Sequence, residues 1–232
     1  MDTQIAILAG GLATRLGDLT RDKAKSMVEI QGRPFLEYQL EMLNRSDIIN
    51  VVLCLGHAGE QIMNRFGNGR EYESNIIYSF ENKQLGTAGA LKNAKDLLDD
   101  IFFTMYGDSY IFLDFAEVLS YFKSQNKMAL MTVYKNFDQY GTSNTAIEGD
   151  LVKRYSKKEK TRDMVYIEYG VNILKKEVLG MVPDDRFYSL GDLFIQLIEM
   201  KELLAFEVKE RFFEIGSLQG LREFEEYIGG AG

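Results

Sequence analysis

Near the start of the chain, Leu8-Ala9-Gly10-Gly11-Leu12-Ala13-Thr14-Arg15-Leu16 is followed, ten positions past Arg15, by Lys25. The apolar run Ile5-Ala6-Ile7-Leu8 ends in paired glycines, where a strand would open into a loop. Glycine lets backbone N–H groups approach a ligand closely. Backbone donors of that kind suit phosphate oxygens, and Arg15 and Lys25 add positive charge. The chemistry these residue types could do is to hold a triphosphate. The spacing is neither the three-glycine G-x-G-x-x-G of dinucleotide sites nor the G-x-x-x-x-G-K-[ST] of the P-loop.

A second chemical feature is Gly107-Asp108-Ser109, directly after the apolar run 101–106. Open α/β sheets place their ligands at the carboxyl ends of parallel strands. A carboxylate at such an end invites a divalent metal. The chain has one histidine and one cysteine, which excludes a His/Cys zinc cluster and any disulfide within it. Cys54 lies inside the apolar run Val51-Val52-Leu53-Cys54-Leu55 and is expected to be buried and unreactive. His57, in Leu55-Gly56-His57-Ala58-Gly59, reads as a loop residue that caps or packs rather than as a base.

Charge narrows the partners. A formal net charge of -8 leaves no basic stripe to displace counterions from a nucleic acid. The densest basic run, Lys157-Lys158-Glu159-Lys160, is interrupted by acid and reads as a solvated turn with one functional lysine. An acidic protein that binds anionic ligands must gather its few cations at the site and recruit a divalent metal. No apolar run approaches the ~20 residues needed to span a bilayer. No secretory signal precedes the first strand, so a cytoplasmic protein without membrane association is expected.

These residues must be positioned by alternating strands and helices. Strands are expected over 4–8, 50–55, 75–79 and 101–106, with helices over 34–44, 58–66, 87–98 and 114–124. Phe115, Val118, Leu119 and Phe122 form a one-sided apolar stripe on the last of these. Such alternation predicts a largely parallel sheet covered by helices. After residue 128 the pattern turns to strands over 128–133, 145–147, 151–155 and 165–174, expected as antiparallel additions. A helix begins after Ser189, which forms a capping box with Asp192. A strand over 203–208 and a helix over 217–228 close one catalytic domain of 232 residues, with a nucleotide part over about 1–127 and an acceptor part over about 128–232.

The order and spacing of G-G-x-x-T-R-L, Ala24-Lys25-Ser26-Met27 and Gly32-Arg33-Pro34-Phe35-Leu36 resemble the signature of sugar-1-phosphate nucleotidyltransferases. Ala13 stands where a glycine is frequent, and Ala24 where a proline is usual. The resemblance implies an α/β, Rossmann-like (GT-A-like) three-layer fold with a mixed, mostly parallel sheet and a small antiparallel addition. It implies that Leu8, Ala9, Gly10, Gly11, Thr14 and Arg15 hold the nucleotide, with Arg15, Lys25 and Asp108 catalytic. Asp108 would bind Mg²⁺. The second metal ligand in the family is an acid in a late F-x-D-I-G segment, and Phe212-Phe213-Glu214-Ile215-Gly216 supplies Glu214.

The stretch Glu81-Asn82-Lys83-Gln84-Leu85-Gly86-Thr87-Ala88-Gly89 resembles the family's base-recognition loop, with Glu81, Gly86 and Thr87 on the nucleotide. Relatives carry glutamine at the position of Glu81. An ionised carboxylate only accepts hydrogen bonds, and guanine offers two adjacent donors where uracil or thymine offers one. GTP is therefore favoured, with UTP and dTTP as alternatives. Gly141, Lys157 and Glu168 match the family's sugar-phosphate residues, with Lys158 the alternative register for the lysine. The implied reaction joins an NTP to a heptose or hexose 1-phosphate in a monomer or homodimer, and the length is most like the heptose-1-phosphate guanylyltransferase type. A metal-dependent glycosyltransferase and a nucleotide-sensing regulatory relative are the competing classes. Asp108-Ser109-Tyr110 lacks the second acid of the D-x-D that the former usually shows.

Overall fold

The computed structural model describes residues 3–11, 24–56 and 58–230. Thr14, Arg15 and His57 lie outside them. In chain order the elements are β1 (Gln4–Leu8), β2 (Glu29–Ile30), β3 (Arg33–Pro34), α1 (Phe35–Asn44), β4 (Asn50–Leu55), α2 (Gly59–Phe66), β5 (Asn75–Phe80) and α3 (Gly86–Asn93). They continue as β6 (Ile101–Tyr106), β7 (Ser109–Tyr110), α4 (Phe115–Ser124), β8 (Ala129–Lys135), β9 (Thr145–Glu148), β10 (Leu151–Tyr155) and β11 (Tyr166–Lys175). The chain ends with α5 (Leu190–Glu199), β12 (Leu203–Val208), β13 (Phe213–Glu214) and α6 (Leu218–Gly230).

One sheet takes nine strands in the order β5-β4-β1-β6-β11-β8-β12-β10-β9. The β5, β4, β1 and β6 strands are mutually parallel. β11 runs against β6 and β8, and β10 against β12 and β9. The reversed strand β11 thus lies inside the sheet, joining β6 of the first sequence half to β8 of the second through continuous backbone pairing, rather than at an edge.

Alternation along the strands sorts side chains to two faces. Ile5, Ile7, Val51 and Leu53 meet α1, α4 and α6 through Phe35, Leu40, Phe122 and Phe224 on one side. Ala6, Val52 and Cys54 meet α3 and α5 through Leu91, Leu193, Phe194 and Leu197 on the other. That is the expected three-layer α/β/α arrangement. The stripe on α4 is buried as expected at Phe115, Val118, Leu119 and Phe122.

The expected helix over 87–98 is shorter. α3 ends at Asn93, and a separate 3-10 turn covers Lys95–Leu97. The capping box at Ser189 and Asp192 is formed, each residue accepting a hydrogen bond from the backbone N–H of the other. Two strand pairs of two residues each, β2 with β3 and β7 with β13, escape sequence periodicity because two residues carry no period.

Candidate active site

The parallel pairing of β1 with β4 and β6 brings three strand ends to one edge. Beyond that edge lies a cleft of about 550 Å³. Its lining includes Leu8, Ala9, Gly10, Gly11, Lys25, Glu81, Gly86, Thr87, Asp108, Lys157 and Lys158. Residues from both sequence halves therefore face one space, as a two-substrate site requires.

At the β1 and β4 ends the backbones touch. A Cβ placed on Gly10 would stand 2.9 Å from the Gly56 nitrogen, and one on Gly56 would stand 2.9 Å from both the Gly10 oxygen and Glu81 Oε1. No side chain fits at either position, and the space is taken by the Glu81 carboxylate. The Glu81 backbone N–H donates to the Leu55 carbonyl at 2.9 Å, and its Oε2 accepts from the Leu85 N–H at 3.3 Å. Burial pushes the Glu81 carboxyl above the usual carboxylate range, while the Leu85 N–H acts to lower it.

Gly86 opens α3 with φ +75° and lines the cleft, but its missing side chain also serves packing. A Cβ there would lie 2.7 Å from the Tyr188 carbonyl oxygen. The Ala88 and Gly89 N–H groups donate to that same oxygen at 3.0 and 3.1 Å. Two donors at this helix end are therefore already satisfied from within the protein.

The catalytic candidates gather at the β6 end. Lys25, on a 3-10 turn over Lys25–Met27, forms an ion pair with Asp108. β7 pairs with β13 so that Ser109 faces Glu214, and the Ile215 N–H donates to the Asp108 carbonyl at 2.9 Å. Three charged atoms then surround Gly216. A Cβ there would stand 2.8 Å from Lys25 Nζ, 3.2 Å from Asp108 Oδ2 and 3.4 Å from Glu214 Oε2.

The donor set of Asp108 and Glu214 is oxygen only. Mg²⁺ is commonly bound by one or two carboxylates, with water and substrate phosphate completing the octahedron. Among the described residues no cluster of three or more potential ligands forms, so the protein alone offers no closed cage. Asp108 lines the cleft and Glu214 does not, but both carboxylates converge beside Gly216, and two such oxygens fit an ion shared with a substrate.

Of the residues expected to hold the sugar phosphate, Lys157 and Lys158 line the cleft while Gly141 and Glu168 do not. Gly141 is exposed on its loop with φ +101°, and its carbonyl accepts from Asn136 Nδ2 at 2.8 Å. Glu168 is buried beneath the cleft floor. It accepts from the Tyr106 hydroxyl at 2.7 Å and the Tyr155 hydroxyl at 2.6 Å, and lies 3.3 Å from Lys157 Nζ. Tyr106, Phe187 and Ile195 line the cleft without having been singled out in the sequence, and Asp192 lines it although the sequence marked it only as a capping residue. Tyr106 does precede the Gly107-Asp108 turn, which is the signal that could have marked it.

A model of the nucleotidyl transferase family matches residues 5–229, and the chain belongs to that family. The D-glycero-alpha-D-manno-heptose 1-phosphate guanylyltransferase of Campylobacter jejuni is 29% identical over 215 residues, covering 92% of this chain and 94% of that protein. The UTP-glucose-1-phosphate uridylyltransferase of Synechocystis is 29% identical over 213 residues, covering 83% of this chain and 54% of that one. The chain thus spans about half the length of some curated relatives it resembles. Among solved structures, HddC from Yersinia pseudotuberculosis complexed with GMP-PN superposes with a TM-score of 0.81 at 27% identity, over 97% of this chain and 99% of that chain. No helix among the described residues is long and apolar enough to cross a membrane.

Proposed function

We propose that this protein transfers a nucleoside monophosphate from an NTP, GTP by preference, to a heptose or hexose 1-phosphate, releasing pyrophosphate, as a cytoplasmic enzyme supplying nucleotide sugars. The observation that supports this best is the single cleft whose lining takes Lys25, Asp108 and the glycine edge of β1 from the first half of the chain and the Lys157-Lys158 pair from the second. A donor and an acceptor that are both anionic need cations on either side of the point of transfer.

The acceptor phosphate oxygen forms a bond to the α-phosphorus as the bond to the bridging oxygen breaks, and the electron pair leaves with pyrophosphate. The nucleophile is already an anion, so the protein must mainly position and neutralise. Lys25 steadies the phosphates, and Lys157 or Lys158 holds the acceptor. Arg15, assigned through the family signature, touches the transferring phosphates. Asp108 and Glu214 would hold Mg²⁺, which supplies charge neutralisation on the phosphates when bound.

Glu81 supports guanine, because an acceptor-only group in the cleft pairs with both the ring N–H and the amino group of that base. Adenine presents an acceptor at its ring nitrogen, and an unpaired buried polar group costs about 1 to 3 kcal/mol. The uridylyltransferase relative keeps UTP as the second choice.

The test is a matrix of the four NTPs against heptose, mannose, glucose and N-acetylhexosamine 1-phosphates, scored by pyrophosphate. Release is expected only with NTP, Mg²⁺ and a sugar 1-phosphate together, and most strongly with GTP. Pyrophosphate in no combination, or liberation of free sugar instead, contradicts the proposal.

A further inference from the structure

We infer that Glu168 is a positioning residue that acts through Lys157, and that it selects Lys157 rather than Lys158 as the cation for the acceptor's phosphate. This rests on the reaction proposed above.

Glu168 is 6% exposed, on β11. Its carboxylate is reached by four donors, three on strands and the fourth, Lys157, on the loop after β10. The Tyr106 hydroxyl at the end of β6 donates at 2.7 Å, the Tyr155 hydroxyl at the end of β10 at 2.6 Å, and Asn172 Nδ2 on β11 at 3.5 Å. Lys157 Nζ stands at 3.3 Å. The Glu168 N–H is itself tied to Asn144 Oδ1 at 2.9 Å. A carboxylate saturated in this way and absent from the cleft lining cannot turn to a sugar hydroxyl without abandoning buried donors, each costly to leave unpaired.

What it can do is hold Lys157. The ammonium lies 5.0 Å from the centre of the Tyr106 ring and 5.9 Å from that of Tyr155, within the range of cation–π attraction. The two tyrosines thus contribute twice, by hydroxyl to Glu168 and by ring to the lysine. Burial and the nearby Glu168 charge both push the two phenols up, so they remain donors through the physiological range. Lys157 nevertheless keeps a side chain 58% exposed, so its outer face remains available to an anion in the cleft. A lysine otherwise gives up much rotamer freedom on binding a phosphate, and holding it in advance reduces that loss. Lys158 lines the same cleft, and its backbone N–H donates to Ser156 Oγ at 3.2 Å. Among the described residues its ammonium forms no ion pair within 4.0 Å and no ring contact of the kind that holds Lys157, and its charge acts only at longer range on Asp192.

Steady-state kinetics with the most active NTP and acceptor provide one arm of the test. Glu168→Gln keeps the shape but loses the charge, and should raise the acceptor KM by roughly tenfold or more while moving the NTP KM less than about twofold. Tyr106→Phe and Tyr155→Phe, which leave the carboxylate in place, should each shift the acceptor KM in the same direction by less. Lys157→Met should exceed Lys158→Met in its effect on acceptor KM. Adding Glu168→Gln to Lys157→Met should cause little further loss, since one acts through the other. Full additivity of that pair, or a dominant Lys158 effect, overturns the inference.

The second arm needs no turnover. Limited labelling with an amine-reactive reagent, read by peptide mass spectrometry, should modify Lys158 faster than Lys157 in the native protein. Glu168→Gln, or Tyr155→Phe if that variant alone folds, should accelerate Lys157 selectively. Unchanged labelling of Lys157 overturns the holder. A wild-type protein inactive toward every substrate pair would overturn the reaction while leaving this result intact.

Discussion

Lys25 and Asp108 meet as an ion pair at the ends of neighbouring elements, with Glu214 facing the same point beside Gly216. Both partners are partly exposed, with side chains 22% and 25% accessible. A pair so open to solvent adds little to stability, of the order of 0 to 1 kcal/mol. Its placement at the cleft is better explained by charge held ready for a ligand than by folding.

Asp108→Asn should therefore lower turnover by about 10² to 10³, the usual cost of losing a charged contact made mainly in the transition state. The thermal midpoint should move little. Near-normal rates in the purified variant, measured as pyrophosphate release, would count against the role assigned to Asp108. Chelation of divalent cations should stop the wild-type reaction, and added Mg²⁺ should restore it.

Gly216→Ala places a methyl group 2.8 Å from Lys25 Nζ and close to both carboxylates. The neighbours are the far ends of flexible side chains, so the fold should survive while the charged cluster is pushed apart. A loss of about tenfold or more in kcat/KM, with a circular dichroism spectrum like that of the parent, is the expected outcome.

Glu81 should titrate above ordinary glutamates because burial disfavours its charge. A carboxyl raised in the folded state contributes stability that is present below its unfolded value and lost as the pH rises through the folded one. Glu81→Gln should accordingly raise the melting temperature at neutral pH, with the gain shrinking on acidification. The same substitution should narrow the ratio of GTP to UTP kcat/KM. In the parent, lowering the pH should erode that ratio at a higher pH than an ordinary carboxylate would cause.

Cys54 is 2% exposed, and burial pushes its thiol up to about 12. The thiolate is the reactive form. A thiol reagent at neutral pH should therefore leave the native protein unmodified and label it stoichiometrically only after denaturation. Rapid labelling of the native state would show that the β4 end opens.

The α/β alternation was legible because each long element carries its own period. The 3.6-residue stripe of α4 and the continuous apolar runs of β1, β4 and β6 announce themselves locally. The glycine edge and Asp108 were legible for a related reason, since they sit directly after such runs and strand ends in open sheets carry ligands, whereas Lys25 follows no apolar run and was marked only by its place in the motif. Glu168 was legible by residue type alone, and only burial reveals that its oxygens already accept from Tyr106 and Tyr155.

What the amino-acid order determined by itself was the layering of the fold, the glycine pair that ends the first strand and the acidic balance of the chain. Those properties depend on neighbours in sequence. The meeting of Asp108 with Glu214 through the two-residue pair of β7 and β13, and of Lys157 with Tyr106 and Glu168, was decided only by tertiary structure. Such contacts are set by sheet order and register over long separations, and no local period encodes them.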